Sequence, residues 1–355
     1  MTGTERTKRR VLVVGAGERV RADVLPVLAL LSDRYELAGV RARSARTVES
    51  GGATVTVESL DELSAATVAG CDLVYVAVRK EAVPAVLGRL AAFDLSHADL
   101  LIETPVLLFK HLSHLRRIGS FRAAWAAEDT SALPWLDTLR AASALVGEPR
   151  EVLLDRSAWR YHGLAMMKTL LRSERVTSAR RRDAPATQAR IDLRFAGGAR
   201  GRLLEPRDYA VGHFVLSGSA GALTDSPRVA RELGLRLLEP IARDGACAGF
   251  RLGAFTTELD QVERELLGPL EPGATVTSMM QAAKRVGLYR HFVALHAGRG
   301  AYPLIEALDD MAIDYLLEKL GRYVATPLTS LRTRPGRALL AAAMRFAARQ
   351  GPVRE

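Results

Sequence analysis

A glycine-rich turn follows the first apolar strand of this sequence, and its residue types suit the binding of phosphate groups. The turn consists of Gly15, Ala16, Gly17, Glu18 and Arg19. Gly15 allows a sharp turn, and Gly17 lets backbone N–H groups approach a phosphate because it has no Cβ. Val20 stands in place of a third glycine, so the fingerprint is incomplete. The arrangement predicts a dinucleotide site with the pyrophosphate at a helix N-terminus.

The end of the second predicted strand indicates which dinucleotide binds. Sites that prefer NAD have Asp or Glu there, which binds the ribose 2′-hydroxyl, whereas this chain has Ala42. The flanking residues are Arg41, Arg43, Ser44 and Arg46. Such side chains can hold a 2′-phosphate and none of them repels it. We therefore expect NADP(H), with an ordinary arginine-rich loop as the alternative.

The elements that must position these residues alternate between strand and helix over the first 120 residues or so. Apolar runs predict strands near residues 10–14, 35–40, 53–57, 72–78, 99–103 and 121–127. Helices are predicted near residues 20–32, 59–67, 80–92 and 109–117. This alternation predicts a doubly wound parallel sheet of α/β class. Ligands of such sheets lie outside the carboxyl ends of the strands, which adds Ala77, Val78 and Arg79 to the predicted cofactor-binding residues.

The pattern changes near residue 150. Alternating runs at residues 151–159, 188–195, 201–204 and 211–217 predict an open, mainly antiparallel sheet with one covered face. Close turns are predicted at residues 195–201 and 217–223, and helices at residues 277–286 and 304–320.

These patterns predict three parts of the chain. We expect an NADP-binding Rossmann domain over residues 1–125 and an α+β domain for substrate binding over residues 126–335. The final helices of the second domain can pack back on the first. A C-terminal helix and a basic tail are predicted over residues 336–355.

The composition indicates which cellular compartment and which partners to expect. The 355 residues are 48% apolar and 25% charged, as in globular proteins with room for two domains. No apolar stretch reaches the roughly 18 residues that span a bilayer, so we expect a cytoplasmic protein without a membrane partner. Cys71 and Cys247 are too few for a disulfide framework, and no Cys/His cluster has metal-ligand spacing, so no metal site is predicted.

The formal charge of +10 comes mostly from scattered arginines, and no nucleic-acid partner is predicted. The densest basic cluster contains Arg172, Arg175, Arg180, Arg181 and Arg182. We expect it to form a solvated loop, with docking of an acidic partner or an anionic substrate as the alternative.

In motif and in order, the sequence resembles the Gfo/Idh/MocA oxidoreductases, the family of glucose-fructose oxidoreductase and inositol dehydrogenase. The matching segments are the glycine turn with Arg19, the strand Asp72-Leu-Val-Tyr-Val-Ala77, the strand end Glu103-Thr104-Pro105 and the turn Gly218-Ser-Ala-Gly-Ala-Leu223. The resemblance implies a Rossmann domain followed by an α/β domain with an open sheet, a face that such proteins often use to form dimers. It also implies cofactor contacts from Glu103, Thr104 and Pro105.

Two positions depart from the family pattern. In active members the lysine of Glu-Lys-Pro reaches the substrate hydroxyl and the nicotinamide ribose and assists proton transfer. Here Thr104 occupies that place, and threonine cannot supply a cation or titrate near neutral pH. The family's later histidine, in a pattern close to G-x-H-x-x-D, corresponds to His162, and the partner aspartate corresponds to Ala165. The resemblance therefore implies an altered catalytic centre.

Three residues of one segment are candidate proton donors. His162 comes first because an unperturbed imidazole titrates near physiological pH and because it lies at a strand-to-helix junction; a structural histidine is the alternative. Tyr161 is adjacent, with a packing role as the alternative. Lys168 lies six residues beyond His162, where an exposed position on another helix face is the alternative.

Glu128 and Asp129 follow the last predicted strand of the first domain and are expected near the substrate, with Asp129 as the catalytic candidate. The alternative is that Asp129 or Thr130 caps the helix that contains Trp135.

We expect an NADPH-dependent reductase of a small metabolite, an imine or carbonyl of a specialised biosynthetic pathway. An imine needs less help than a ketone because nitrogen is readily protonated. Thiazolinyl imine reductases, distant members of the same fold family, likewise lack the usual lysine. The alternatives are a redox-neutral enzyme for cyclisation, elimination or isomerisation and a non-catalytic NADP(H)-binding protein. The expected partners are a small-molecule substrate, either anionic or carrier-tethered, and further copies of the chain in a homodimer or higher homo-oligomer.

Overall fold

The computed structural model describes residues 8–173, 175–183, 189–331, 333–336 and 338. It contains two compact units. The first holds the described residues up to Ala127 together with Leu288–Leu308, and the second holds Glu128–Gly287 and Asp309–Gly336. Most of the predicted C-terminal helix and tail, residues 337 and 339–355, lies outside the described residues.

The strands up to Ala127 are Arg9–Val14 (β1), Tyr35–Ala42 (β2), Arg46–Ser50 (β3), Ala53–Ser59 (β4), Leu73–Val76 (β5), Asp99–Glu103 (β6) and Ala123–Ala127 (β7). The later strands are Pro149–Asp155 (β8), Val176–Asp183 (β9), Ala189–Phe195 (β10), Arg200–Glu205 (β11), His213–Gly218 (β12), Ala222–Thr224 (β13), Arg236–Arg243 (β14), Ala246–Leu252 (β15), Phe255–Glu258 (β16), Tyr302–Pro303 (β17) and Arg322–Val324 (β18).

The α-helices are Leu25–Leu30 (α1), Ala65–Ala69 (α2), Val83–Leu90 (α3), Leu115–Ile118 (α4), Leu136–Ala141 (α5), Ser143–Val146 (α6), Arg160–Leu171 (α7), Pro227–Leu233 (α8), Gln261–Leu267 (α9), Met280–His296 (α10) and Leu304–Leu320 (α11). A π-helical turn, Val20–Val24, runs directly into α1. Short 3₁₀ turns occupy Leu60–Glu62, Phe109–His114, Asp129–Ser131 and Ala196–Gly198.

The first unit contains an eight-stranded sheet in the order β17-β7-β6-β5-β1-β2-β4-β3. The six strands from β7 to β4 are parallel, in the order of a doubly wound fold, while β17 and β3 are antiparallel edges. Residues 11–14 of β1 are fully buried, as expected for a strand covered on both faces. The predicted doubly wound sheet is confirmed.

The second unit contains a ten-stranded sheet in the order β16-β15-β14-β13-β12-β8-β11-β10-β9-β18. Neighbouring strands are antiparallel except for β8 with β11 and β13 with β14. In β10, Ile191 and Leu193 are buried whereas Arg190 and Arg194 are not, because successive side chains of a strand point to opposite faces. The predicted, mainly antiparallel sheet with one covered face is confirmed.

Several segments differ from the sequence predictions. No strand was predicted at residues 46–50, yet they form β3, which pairs with β4 in a hairpin around Gly51 and Gly52. The expected loop at Arg180–Arg182 is wrong, because these arginines lie in β9 and pair with β10. The helix expected to end near residue 286 continues to His296.

The long helix α10 accommodates a glycine in its interior. A Cβ at Gly287 would collide with the carbonyl oxygen of Asp129, so glycine is what permits the close approach of the two backbones. None of the described helices is long and apolar enough to cross a bilayer.

Candidate functional site

The glycine turn has the geometry of a phosphate cradle. Gly15 has a φ of +131°, and a Cβ there would collide with the carbonyl oxygen of Ala77 at the end of β5. Its N–H donates to the carbonyl oxygen of Arg41 at 2.7 Å, which fixes the turn between β2 and β5. By contrast, no described heavy atom lies within 4 Å of the Cβ position of Gly17. The turn is therefore packed at Gly15 and open at Gly17, as a dinucleotide site requires.

The helix after the turn begins with a wide π turn. The N–H of Leu25 donates to the carbonyl oxygen of Val20, five residues earlier, as in a π-helix. Pro26 follows in the first turn of α1 and has no N–H, and its ring would clash with the carbonyl four residues earlier in a regular α-helix. A wide turn before the proline leaves room for its ring. Glu18, predicted to line the site, is exposed and pairs with Arg21 at 2.6 Å.

The end of β2 has no carboxylate. Ala42 is buried there, while Arg43, Ser44 and Arg46 are exposed. Nη2 of Arg46 lies 3.3 Å from the carbonyl oxygen of Ala16, which places this guanidinium beside the glycine turn. Arg41 differs, because it is buried and pairs with Glu58 of β4 at 2.5 Å. Arg46 therefore lies beside the turn, Arg43 and Ser44 are exposed after the strand end, and Arg41 is occupied elsewhere.

An unusual connection follows β2. Parallel strands are usually joined by a helical crossover, but here the chain that connects β2 to β4 forms β3, which pairs with β4 at the edge of the sheet. Ser50 at its end donates to the carbonyl oxygen of Arg21 at 2.7 Å and ties the hairpin to the first helix. The β-branched Thr47 and Val48 before two glycines were the sequence signal for this hairpin.

The carboxyl ends of β5 and β6 carry a charged cluster. Glu103 accepts a hydrogen bond from Nε of Arg19 at 2.8 Å and a short one from the hydroxyl of Tyr75. Arg19 also pairs with Asp23 at 2.9 Å. Glu103 therefore holds the glycine-turn helix against the end of β6. Of the other predicted contacts, Val78, Thr104 and Pro105 are partly exposed and Arg79 is exposed.

Lys80 belongs to the same cluster and was not singled out from the sequence. Its Nζ donates to the backbone carbonyl oxygen of Glu103 at 2.9 Å. Burial lowers the pKa of Lys80 from 10.5 to about 8, because it disfavours the ammonium form; the charges of Glu103 and Glu81 oppose this effect and that of Arg19 adds to it. The signal in the sequence was a lysine four residues after a buried strand.

The second unit pairs His162 with a buried carboxylate. Nδ1 of His162 lies 2.8 Å from both oxygens of Glu128, and Thr130 Oγ1 donates to Glu128 at 2.6 Å. Burial alone would raise the pKa of Glu128, but the charge and hydrogen bond of His162, with Thr130, bring it to about 2. Nδ1 is thus oriented by the carboxylate, which leaves Nε2 as the position where the ring gives or takes a proton.

Glu128 supplies a carboxylate that the family pattern places elsewhere. Ala165, at the predicted position of the partner aspartate, is fully buried in α7. Tyr161 lies beside the imidazole, with ring centroids 4.3 Å apart. The pairing was hard to find in the sequence because 34 residues separate Glu128 from His162.

Two other predicted residues have different surroundings from those expected. Lys168 is buried and pairs with Asp310 at 2.6 Å, so the alternative of an exposed position is wrong. Asp129 is buried, but neither it nor Thr130 caps the helix near Trp135, because α5 begins after Trp135 without a side-chain cap. The side chain of Glu128 instead caps the 3₁₀ turn Asp129–Ser131.

No family model and no curated protein matches the sequence. Solved structures do match over most of the chain. A myo-inositol dehydrogenase from Corynebacterium glutamicum is 14% identical, with a TM-score of 0.57, over 90% of this chain and 100% of its own. A UDP-N-acetylglucosamine 3-dehydrogenase, GnnA, from Acidithiobacillus ferrooxidans is 16% identical, with a TM-score of 0.55, over 94% and 99%.

An oxidoreductase from Agrobacterium radiobacter, solved in complex with NAD⁺, L-tartaric acid and magnesium, is 14% identical, with a TM-score of 0.56, over 90% and 98% of the two chains. No group of His, Cys, Asp or Glu among the described residues of this chain is placed to hold a metal ion. The protein therefore has the fold of these dehydrogenases, as its resemblance to the Gfo/Idh/MocA oxidoreductases implies.

Proposed function

We propose that this protein is an NADP(H)-dependent oxidoreductase that reduces a C=O or C=N bond of a small metabolite. The observation that carries the proposal is a glycine turn, open at Gly17, beside a strand end with Ala42 and exposed cations. When bound, NADPH would supply a hydride, which is the chemistry that the protein itself lacks. The dehydrogenases and oxidoreductases that share this fold support the same class of reaction.

Different residues would bind different groups of the cofactor. The backbone around Gly17 would hold the pyrophosphate at the start of the helix. Arg43, Ser44 and Arg46 would hold the 2′-phosphate, since arginine forks match phosphate geometry. Because Arg46 already contacts the backbone at Ala16, its guanidinium is near the turn before any ligand arrives.

Calorimetric titration with 2′,5′-ADP tests this assignment, because that molecule carries the 2′-phosphate without the nicotinamide. The double variant Arg43→Ala, Arg46→Ala should bind about tenfold more weakly, since hydrogen bonds to charged groups contribute roughly 1.5–3 kcal/mol and these arginines are exposed. Arg228→Ala, an exposed arginine of α8, is the control. Equal affinity in the double variant and the control would contradict the assignment.

His162 would donate a hydrogen bond from Nε2 to the substrate, with Glu128 holding the other ring nitrogen. A panel of cyclic imines and small ketones, followed by the loss of NADPH absorbance, should contain a substrate. His162→Ala should lower turnover by about tenfold, as for loss of one hydrogen bond to the substrate, while NADPH affinity stays unchanged. Undiminished turnover in this variant would remove His162 from the reaction.

The threonine at position 104 favours a second candidate, a redox-neutral enzyme that retains the fold. Such a protein would bind NADPH in the titration and consume none of it with any member of the panel.

We also propose that the chain assembles as a homodimer or higher homo-oligomer, and sedimentation at equilibrium gives its mass directly. A monomer at micromolar concentration would contradict that part.

A further inference from the structure

Lys80 lies next to the position where the family pattern places its lysine. Glu103 is the last residue of β6, and Thr104 follows it. The ammonium of Lys80 reaches the carbonyl oxygen of Glu103 at 2.9 Å from the segment after β5, the neighbouring strand. A positive charge is therefore present at this strand end although residue 104 is a threonine. The backbone of Ala77, three residues earlier, packs directly against Gly15 of the cofactor turn.

The contacts of Glu103 leave the ammonium of Lys80 without a direct carboxylate partner among the described residues. The carboxylate of Glu103 accepts from Arg19 and Tyr75, while Lys80 contacts only the backbone carbonyl of that residue. A lysine that served to neutralise Glu103 would contact the carboxylate oxygens instead. Lys80 is thus held in place by a neutral group.

Such an environment suits proton transfer. Burial brings the pKa of Lys80 to about 8, and the charged groups that face it are Glu103, Arg19 and Glu81. A donor with a pKa close to the working pH is present in both forms in useful amounts and gives up its proton more readily than an ordinary lysine. A threonine hydroxyl at position 104 has no comparable capacity.

We propose that Lys80 is the proton donor at the nicotinamide end of the site and that it replaces the lysine absent from position 104. This inference rests on the proposed oxidoreductase function. The carbon of a C=O or C=N bond accepts a hydride, and the electron pair of the double bond moves to the oxygen or nitrogen. Nζ of Lys80 gives that atom one proton and is left neutral. The two electrons come from the reduced nicotinamide, and solvent returns the proton to Lys80.

Lysine labelling tests the proposal without a known substrate. The full-length protein is acetylated with a trace of acetic anhydride between pH 6 and 10, with and without NADPH, and peptides are quantified by mass spectrometry. The peptide with the exposed Lys319 corrects for reagent dose. We expect the labelling of Lys80 to rise with a midpoint near pH 8 and to slow at least fivefold with saturating NADPH. Unchanged labelling under NADPH that does bind would overturn the proposal.

Rescue of Lys80→Met by a second substitution, Thr104→Lys, separates a catalytic role of Lys80 from a structural one. With any imine or ketone that the wild type reduces, Lys80→Met should lower kcat by at least a hundredfold and remove the pH dependence near pH 8. Thr104→Lys in the Lys80→Met background should recover at least tenfold, because it restores an ammonium at the neighbouring position. Full activity of Lys80→Met would overturn the proposal.

The two proposals fail in different ways. If NADPH does not bind to the wild type, the proposed function fails. If NADPH binds and is consumed, yet Lys80→Met keeps both its rate and its pH profile, only the assignment of Lys80 fails. Circular dichroism of each variant shows whether a loss of rate reflects misfolding.

Discussion

Replacement of Glu128 by glutamine tests whether the buried carboxylate stabilises the second unit through His162. The pKa of Glu128 falls from 4.5 to about 2 in the folded protein. At about 1.36 kcal/mol per pKa unit, the ionised carboxylate contributes roughly 3 kcal/mol. Because the folded pKa is the lower one, this contribution is complete above about pH 4.5 and is lost as the pH falls towards 2.

Urea unfolding followed by near-ultraviolet circular dichroism measures this contribution. At pH 5, Glu128→Gln should unfold with a free energy roughly 3 kcal/mol below that of the wild type. The difference should shrink as the pH is lowered from 4.5 towards 2. Glu232→Gln, an exposed carboxylate paired with Arg228, is the control and should change little. A difference below about 1 kcal/mol at pH 5, or one that does not vary with pH, would show that the ionised Glu128 does not stabilise the folded unit.

Three other variants test the glycine turn of the first unit and a buried ion pair of the second. Gly17→Ala should keep the melting temperature, since its Cβ meets no described atom, but should bind NADPH more weakly because the Cβ enters the phosphate cradle; an unchanged dissociation constant would show that the cradle is not used. Gly15→Ala should lose about 1–3 kcal/mol in urea unfolding, because its backbone is left-handed and the Cβ meets the carbonyl of Ala77; wild-type stability would contradict the turn geometry. Lys168→Met should lose about 3–5 kcal/mol, since it breaks a buried ion pair with Asp310, and a melting temperature equal to that of Lys319→Met would show that the pair contributes nothing.

The parts of the fold that could be predicted are those in which the local pattern of apolar residues reflects burial. The apolar run of β1 and the glycine turn could be read locally, because a strand covered on both faces is apolar throughout. The β3 hairpin was missed because its outer residues are polar and exposed at a sheet edge. Arg180–Arg182 were misassigned for a related reason: β9 buries only Val176 and Ala179, too few apolar residues for a clear alternation.

The candidate site was predictable only where function depends on local backbone. The glycine turn and the cations after Ala42 each lie within a few consecutive residues, and the structure brings Arg46 to the turn. The partners of His162 and Lys168 are distant in sequence, and no spacing rule connects them to Glu128 and Asp310. Such pairs depend on tertiary packing.

The relative affinity for NADPH and NADH tests the proposed cofactor site of this protein. Energy transfer from tryptophan to the reduced nicotinamide gives dissociation constants for NADPH and NADH under the same conditions. NADPH should bind at least tenfold more tightly, because Arg43, Ser44 and Arg46 follow a strand end with no carboxylate. Tighter binding of NADH, or no binding of either at millimolar concentration, would contradict it.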